Sequence, residues 1–284
     1  MSLVTLKELM REAEKNHYAV GAFNTNNMEI VQAIVEAAEE ERSPVILQAS
    51  QGALKYAGID YIVAMVEAAA KNATVPVCLH LDHGDSFEQV VLCVRKGFSS
   101  VMVDGSKHPL EENIAITSEI VRFARPCGLS VEGELGRIGG TEDNISVSDK
   151  EKTMTVPEEA KEFCDRTGVD ALAVSIGNAH GQYKGKPELD FNRLAAIKDI
   201  VTTPLVLHGA SGIPAEDIRE AVKIGVSKIN IDTEIRLAFQ RGVKEFVANN
   251  PNEYDPRKIL GAAKKEMKEI VKAKMRLFGS SGRA

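Results

Sequence analysis

Short apolar runs alternate with longer amphipathic segments eight times along the chain, and this repeat limits the possible folds more than any other feature. The apolar runs are rich in Val, Ile and Leu, as is typical of parallel strands buried on both faces. They cover residues 18–23, 45–49, 77–82, 100–104, 130–135, 171–176, 204–209 and 228–233. The segments between them have helical spacing, over 28–41, 61–71, 86–96, 112–125, 157–167, 191–200 and 215–224. We therefore expect an α/β fold, a single (β/α)8 barrel of the TIM type.

An open, doubly wound sheet could be built from the same elements, but it usually has a Gly-rich turn after its first strand. Here that turn is Asn24-Thr25-Asn26-Asn27, which favours the closed barrel. Further helices are predicted over 3–15, before the first strand, and over 259–277, as a C-terminal extension. No Pro- or Ser-rich linker interrupts the 284 residues, so one domain over 1–284 is expected. The longest stretch without a regular pattern, 136–155, is interpreted as an active-site loop.

Composition argues against several kinds of partner. The formal net charge is −6, whereas nucleic-acid binding needs clustered Lys and Arg. No apolar run approaches the length of a membrane span, and the N-terminus lacks the apolar segment of a secretory signal. The four cysteines, at 78, 93, 127 and 164, are scattered without a CxxC pair. We therefore expect a cytoplasmic protein with reduced thiols that binds neither nucleic acid nor membrane.

Histidines stand where three of the predicted strands end, and strand ends are where a barrel builds its active site. Of six histidines in the chain, four lie at or just beyond such an end. His83, His180 and His208 are each followed directly by glycine, which lets the backbone turn and a ligand approach closely. Three imidazoles with an open fourth position are typical of catalytic zinc, with cobalt or manganese as alternatives. Side chains alternate along a strand, so His80 shares a face with Asp82 and is expected to be a hydrogen-bond partner, not a ligand.

Two adjacent turns have the features of a phosphate site. Gly209-Ala210-Ser211-Gly212 follows the seventh strand, and Asn230-Ile231-Asp232-Thr233 ends the eighth. Barrels commonly bind phosphate at this position. Backbone N–H groups in these turns, with a helix starting near Thr233, can hold an anion. Lys184 adds a positive charge close to His180 in the sequence.

Carboxylates form a third group near the predicted strand ends and in the loop. Glu132 and Glu134 could also be interior groups that are paired with neighbours, because buried charges need partners. No Lys lies within or at the C-terminal end of strands five to seven, and Lys228 lies at the start of strand eight. Schiff-base chemistry therefore lacks an obvious nucleophile. The carboxylates concerned are Asp82, Asp104, Glu132, Glu134, Glu142 and Asp143.

Together these motifs resemble those of the class II, zinc-dependent ketose-bisphosphate aldolases, the fructose- and tagatose-1,6-bisphosphate group. The matching segments run through nearly the whole chain, at 18–24, 80–84, 134–140, 177–181, 208–212, 230–233 and 255–257. The resemblance implies a lyase of glycolysis that cleaves fructose 1,6-bisphosphate reversibly to dihydroxyacetone phosphate and glyceraldehyde 3-phosphate. The alternatives are tagatose 1,6-bisphosphate cleavage and a non-catalytic barrel subunit of another enzyme. The last of these predicts lost metal ligands or acids, whereas all of them are present.

The resemblance also assigns catalytic roles to individual residues. It makes His83, His180 and His208 the ligands of one catalytic zinc per subunit. Asp82 moves the proton of the substrate hydroxyl, and Glu142 moves the proton on the dihydroxyacetone phosphate carbon. A second divalent ion is implied at Asp104 and Glu134, and a monovalent Na⁺ or K⁺ near the backbone oxygens of Gly181 and Gly209.

Substrate-binding residues follow from the same resemblance. The dihydroxyacetone phosphate end is implied to bind Gly181, Lys184, Gly209, Ala210, Ser211, Asn230, Ile231, Asp232 and Thr233. Ser50 and Arg257 match positions near the other phosphate, and the arginine can come from a neighbouring subunit of a homodimer or homotetramer. Segment 134–140 and Ala210 resemble the tagatose enzymes, whereas Gly212 and segments 183–185 and 254–257 resemble Gram-positive-type fructose enzymes. On balance, fructose 1,6-bisphosphate is the expected substrate.

Overall fold

The computed structural model describes residues 3–142, 145–148, 152–183 and 185–284, and for Glu142 and Ile145 it describes the backbone only. Eleven strands lie in this part of the chain, and eight of them form a closed parallel barrel in the order β1-β2-β3-β4-β5-β8-β10-β11. The expected (β/α)8 architecture is thereby confirmed. The strands are β1 (Val20–Asn24), β2 (Val45–Ser50), β3 (Val77–Gly84), β4 (Ser100–Val103), β5 (Ser130–Leu135), β6 (Gly139–Glu142), β7 (Ile145–Val147), β8 (Ala171–Val174), β9 (Ala179–His180), β10 (Leu205–Leu207) and β11 (Val226–Ile231).

Pairing of β1 with β11 closes the barrel, with Val20 opposite Lys228 and Phe23 opposite Ile231. Every residue of the eight barrel strands is buried, which explains why the sequence shows continuous apolar runs instead of alternation. Three strands, β8, β10 and β11, end two residues earlier than the predicted 171–176, 204–209 and 228–233. The polar residues that follow them belong to the loops at the C-terminal end of the barrel.

Helices cover the outside of the barrel, and most of them match the predicted segments closely. The short helix α3 was not predicted, because seven residues show too little of the helical period to be recognised. The helices are α1 (Leu6–Lys15), α2 (Met28–Glu41), α3 (Gln51–Ala57), α4 (Ile59–Asn72), α5 (Phe87–Lys96), α6 (Leu110–Ala124), α7 (Pro157–Thr167), α8 (Phe191–Ile200), α9 (Ala215–Ile224), α10 (Thr233–Asn249) and α11 (Pro256–Phe278). None of the described helices combines the length and the apolar composition that a membrane crossing needs.

The N-terminal helix α1 closes one end of the barrel. Its side chains Leu6, Leu9 and Met10 pack with inward-facing strand residues such as Ile46 and Val206 into a separate apolar cluster. Thr5 and Glu8 form a capping box that fixes the start of this helix. The end of the barrel at which the strands begin is therefore filled, and space for a ligand is left at the end where they terminate.

The segment 136–155 is not irregular throughout, as was expected from its sequence. It contains β6 and β7, which pair as an antiparallel hairpin, and β6 also pairs in parallel with β9. Gly140 lies opposite His180 in this second pairing. A Cβ atom on Gly140 would lie 2.1 Å from the carbonyl oxygen of His180, so glycine is required for this approach. The strands are two to four residues long, which is too short to produce a pattern in the sequence.

The helices α10 and α11 pack against each other and extend the chain beyond the barrel strands. Lys264, Lys268 and Lys272 of α11 form ion pairs with Glu36 and Glu40 of α2. These partly exposed pairs align α11 along α2, although each contributes little free energy by itself. The predicted C-terminal helical extension is thus present, and it begins three residues earlier than the expected 259–277.

Candidate active site

Three imidazoles meet at the C-terminal end of the barrel. His83 is the penultimate residue of β3 and has a positive φ of 49°, His180 ends β9, and His208 directly follows β10. One ring nitrogen of each lies within 4.8 Å of a ring nitrogen of the others. All three side chains are nearly or fully buried. The structure therefore brings together the three histidines that the sequence had selected.

Carboxylates hold two of these rings by the nitrogen that faces away from the cluster. His83 Nδ1 lies 3.0 Å from Asp104 Oδ2, and His208 Nε2 lies 2.8 Å from Glu132 Oε1. A carboxylate oxygen can only accept, so each ring carries its proton on that nitrogen. The lone pair of His208 Nδ1 then faces His83 Nε2, with the two atoms 3.1 Å apart. Such carboxylate–imidazole pairs are typical of metal-binding histidines.

The electrostatics of the cluster favour a bound positive charge. Burial lowers the pKa of His83, but the charges of Asp82 and Asp104 outweigh it and raise that pKa well above its usual value. Burial and the neighbouring His83 lower the pKa of both His180 and His208 well below the usual value. The pocket therefore accommodates one cation among two neutral imidazoles, a charge that a divalent metal can replace.

A carboxylate beside the histidines completes a possible second donor set. His83, Asp104 and Glu134 also bring one ligand atom each within 4.8 Å of one another. Glu134 Oε2 is buried, lies 4.0 Å from His83 Nδ1 and 3.9 Å from His208 Nδ1, and has no hydrogen-bond partner among the described residues. Burial, followed by the charge of Asp104, raises the pKa of Glu134 well above its usual value. A buried acceptor of this kind, next to nitrogen donors, fits a bound zinc ion.

His80 lies on the face of β3 that strand alternation predicted, and it makes no hydrogen bond to any of the three clustered histidines. Its Nδ1 lies 2.8 Å from Ser100 Oγ, and its Nε2 lies 3.5 Å from Glu132 Oε2. The side chain points into the barrel interior, two residues before Asp82 along β3. The hydrogen-bond partner of His208 is therefore Glu132, and His80 reaches the cluster only through that carboxylate.

Asp82 lies beside the cluster and is held by three amide groups. Its Oδ2 accepts hydrogen bonds of 3.0 Å from both Asn24 Nδ2 and Gln48 Nε2, and its Oδ1 accepts one of 3.2 Å from Asn230 Nδ2. These amides come from the ends of β1, β2 and β11. The carboxylate is fully buried and fixed in orientation. Asn24 and Gln48 were not singled out from the sequence, because nothing in it indicates that their side chains converge on Asp82.

A small cup lies on one side of the histidines and is built by the turns predicted to bind phosphate. The helix α10 begins at Thr233, which lies in the lining of this cup. Ala210 and Ile231 do not line it, because their side chains are buried in the apolar core. The lining residues are His180, Gly181, Gly209, Ser211, Asn230, Asp232 and Thr233.

Close backbone packing shapes this cup. Gly209 has φ 61°, and a Cβ atom on it would lie 2.3 Å from the carbonyl oxygen of Ala179. Tyr183 connects the same two segments, since its hydroxyl accepts from the Ala179 N–H at 2.8 Å and donates to the Gly209 oxygen at 2.9 Å. Tyr183 was noted in the sequence only as part of a turn. The bridging role depends on the fold and gives no sequence signal.

A larger cavity of about 270 Å³ lies on the other side of the histidines and shares His180 with the cup. The cluster thus stands between two spaces, one small and rich in backbone N–H groups and one large enough for a short carbon chain. The larger cavity also has basic groups on its wall. Its lining residues are Gln51, His83, Gly84, Asp85, Asp104, Ser106, Lys107, Glu134, Arg137, Ile138, Val147 and His180.

Several residues selected from the sequence are not gathered at either space. Ser50 caps α3, accepting from the Ala53 N–H at 3.2 Å, and does not line the cavities. Arg257 begins α11, is highly exposed and pairs with Asp255 at 2.7 Å. The side chain of Glu142 and the whole of Lys184 and Asp143 lie outside the described residues.

Comparisons of the sequence with known proteins agree with this geometry. A family model described as "Fructose-bisphosphate aldolase class-II" matches residues 4–283. A fructose-bisphosphate aldolase of Thermus caldophilus is 50% identical, over 99% of this chain and all of the relative. One of Geobacillus stearothermophilus is also 50% identical, over 100% of this chain and 99% of the relative. A probable fructose-bisphosphate aldolase of Bacillus subtilis is 47% identical over the full length of both.

Solved structures give the same result. The YdjI aldolase from Escherichia coli K12 superposes with a TM-score of 0.88 at 37% identity, covering 99% of each chain. A fructose-bisphosphate aldolase from Campylobacter jejuni superposes with a TM-score of 0.87 at 27% identity, covering 100% of this chain and 97% of the other. The likeness therefore extends over the barrel and its helical additions together.

Proposed function

The chain belongs to the class II fructose-bisphosphate aldolase family, a family of lyases, and on that premise we propose that it reversibly cleaves fructose 1,6-bisphosphate. The products are dihydroxyacetone phosphate and glyceraldehyde 3-phosphate. The observation that carries the proposal is the convergence of His83, His180 and His208 within 4.8 Å between a small cup lined by backbone turns and a larger cavity. This arrangement suits a ketose bisphosphate whose carbonyl lies between its two ends.

The metal in this proposal is zinc, bound by the three imidazoles. Class II aldolases are generally zinc-dependent, and nitrogen donors with buried carboxylates nearby suit this ion. When bound, zinc supplies a Lewis acid for the ketose carbonyl oxygen. We further assign a second divalent ion to the donor set of Asp104 and Glu134, and a monovalent Na⁺ or K⁺ to the backbone oxygens near Gly181 and Gly209.

To Asp82 we assign the transfer of the proton of the C4 hydroxyl. In cleavage its carboxylate accepts that proton while the bond between C3 and C4 breaks, and in condensation it returns the proton to the aldehyde oxygen. The three amides of Asn24, Gln48 and Asn230 support this assignment, because they hold the carboxylate in one orientation while it exchanges the proton. A carboxylate placed in this way contributes about 10²–10⁴ in rate.

To Glu142 we assign the transfer of the second proton. In cleavage, dihydroxyacetone phosphate gains this proton at C3, the carbon that was bonded to C4. Support comes from the backbone, since β6 ends at Glu142 and pairs with β9 at His180. The pairing keeps the chain at Gly140 in contact with a proposed metal ligand, two residues from the proposed acid–base group.

The phosphate of the dihydroxyacetone end is assigned to the cup, with Lys184 contributing charge. The lining by Gly181, Gly209 and Ser211, with Thr233 at the start of α10, supports this, because turns and helix N-termini of this kind commonly bind phosphate. For the other phosphate we propose Ser50 and an Arg257 supplied by a neighbouring subunit, which requires a homodimer or homotetramer. The exposure of Arg257 at the start of α11 is compatible with donation to a partner. We place the reaction in cytoplasmic glycolysis.

Fructose 1,6-bisphosphate is preferred to its C4 epimer, tagatose 1,6-bisphosphate, because curated relatives at 47–50% identity are named fructose-bisphosphate aldolases. The epimers differ at one hydroxyl, and small contact differences separate them. Steady-state assays with both epimers decide the matter. A kcat/KM at least tenfold higher for fructose 1,6-bisphosphate is expected. A ratio that favours the tagatose compound would assign the chain to that substrate instead.

A further inference from the structure

A charged layer lies inside the barrel directly below the three histidines. It consists of Glu132 on β5 and Lys228 on β11, with His80 on β3 beside them, and none of these side chains has any solvent exposure. Below the layer the barrel is filled by apolar side chains that pack on α1. The reaction described above uses neither Glu132 nor Lys228. A buried ion pair at this depth adds little to stability compared with apolar packing, so its position calls for another explanation.

The two oxygens of Glu132 have different partners. Oε1 accepts the hydrogen of His208 Nε2 at 2.8 Å. Oε2 lies 2.9 Å from Lys228 Nζ, in an ionic contact without hydrogen-bond alignment, and 3.5 Å from His80 Nε2. His80 is held in turn by Ser100 at 2.8 Å. Groups from three other strands therefore surround the carboxylate, and it cannot rotate without losing one of them.

The orientation of Glu132 determines which nitrogen of His208 can bind a metal. A carboxylate that accepts from Nε2 fixes the proton on that nitrogen, so the lone pair of the neutral ring is on Nδ1. Nδ1 is the atom that faces His83 Nε2 at 3.1 Å. Without the carboxylate, the imidazole could carry its proton on either nitrogen and rotate about its bond to Cβ. Both changes reduce the fraction of molecules that are ready to bind the ion.

We propose that Glu132 and Lys228 together are positioning residues for the metal: Glu132 fixes the tautomer and ring angle of His208, and Lys228 fixes Glu132. The proposal rests on the function proposed above, specifically on a metal bound by His208. Lys228 is in direct contact with the carboxylate, because its Nζ lies 2.9 Å from Glu132 Oε2 and has no hydrogen-bond partner among the described residues. Lys228 reaches across the barrel interior from β11 and holds Glu132 Oε2, while Glu132 Oε1 faces His208.

The alternative is that the pair only connects β5 to β11. A purely structural pair would change unfolding when it is broken, but it would not change the rate at which zinc leaves a folded protein. The distinguishing measurements are therefore made on zinc binding. Wild type, Glu132→Gln, Lys228→Met and the double variant are each loaded with one zinc per subunit, and zinc dissociation is followed with a chromogenic chelator. The absorption spectrum of the cobalt-substituted proteins reports ligand geometry.

Glu132→Gln is expected to weaken zinc binding about 10–100-fold and to alter the cobalt spectrum. Lys228→Met is expected to act in the same direction, and the double variant to be no weaker than Glu132→Gln alone, because both changes act through one carboxylate. Lys7→Met is the matched control, since it removes a lysine paired with Asp170 at 2.6 Å near the opposite end of the barrel. It should leave zinc dissociation unchanged.

Wild-type dissociation rates and spectra in Glu132→Gln would overturn the proposal, and so would additive effects of the two changes in the double variant. If Lys228→Met alone fails to fold, the double variant, which leaves no unpaired buried charge, is still measured, and weaker zinc binding in it than in Glu132→Gln would overturn the role given to Lys228. A wild-type protein that binds no zinc would instead refute the proposed function. The two failures are therefore distinguishable.

Discussion

His83 Nε2 and His208 Nδ1 lie 3.1 Å apart, and the other nitrogen of each ring contacts a carboxylate from a different barrel strand. The two histidines thus offer different ring nitrogens to the same point. Asp104 fixes the first and Glu132 the second, so the donor geometry is set before any ion arrives. The site is therefore built by contacts between different barrel strands, from residues 21 and 76 positions apart in the sequence.

Replacement of Asp82 by Asn is expected to lower kcat for aldol cleavage by about 10²–10⁴, because the side chain keeps its shape but can no longer accept the hydroxyl proton. Zinc content should stay at the wild-type value, since Asp82 contacts the amides of Asn24, Gln48 and Asn230 and is not one of the three imidazole ligands. Steady-state kinetics and metal analysis on the same preparation provide the measurement. Asp60→Asn, at an exposed helix position, is the control for loss of a carboxylate. A near-normal kcat in Asp82→Asn would remove Asp82 from the mechanism.

Replacement of Gly209 by Ala should damage the cup and the metal site together. The new Cβ would lie 2.3 Å from the Ala179 oxygen, in a backbone conformation with φ 61°, so the chain that carries His180 must shift. A loss of about 1–3 kcal/mol in the free energy of unfolding is expected, with weaker zinc binding. Gly261→Ala provides a matched control within α11, because no atom lies within 4 Å of its added Cβ. It should stabilise the protein by up to about 1 kcal/mol. Equal stability of the two variants would contradict the tight packing at Gly209.

Much of the barrel could be predicted from the sequence because parallel strands buried on both faces leave continuous apolar runs. The three clustered histidines could be predicted because each lies at or just beyond the end of a run and precedes glycine. The partners of these residues could not. Whether Glu132 was a site residue or an interior group depended on which side chains lay opposite, and the structure shows that it contacts both His208 and Lys228. Strand alternation correctly placed His80 inside, but it cannot say which neighbour a side chain reaches.

The pairing of β6 with β9 could not be predicted from the sequence either. It joins Gly140 to His180 through two short strands 40 positions apart, and neither strand is long enough to show a period. The glycine at 140 is required by that contact, yet in the sequence it looks like an ordinary loop glycine. The amides of Asn24 and Gln48 that hold Asp82 belong to the same class of feature. Polar residues at strand ends were visible, but their convergence arises only when the barrel closes.

The metal-free protein should lose stability as the pH falls below about 6.5. Burial lowers the pKa of His80, His180 and His208 well below the usual 6.5, so these rings stay neutral when folded and bind protons when unfolded. The unfolded state then binds more protons, and each imidazole costs about 1.4 kcal/mol per pH unit below 6.5. His83 adds no slope in this range, because its pKa is raised and both states carry its proton.

Denaturant unfolding of the metal-free protein between pH 5 and 8 measures this slope. His208→Gln should make the slope shallower than it is in the wild-type protein. A free energy of unfolding that did not change between pH 6.5 and 5 would show that the three buried rings take up protons in the folded state.

Removal and return of the metal tests the central claim most directly. Full chelation should abolish cleavage of fructose 1,6-bisphosphate, and one zinc per subunit should restore it, because His83, His180 and His208 hold the only electrophile that the proposed reaction uses. Cleavage that survived complete chelation, and left the protein covalently labelled by dihydroxyacetone phosphate after borohydride treatment, would contradict it. That result would assign the chemistry to a lysine Schiff base instead of the three-histidine site.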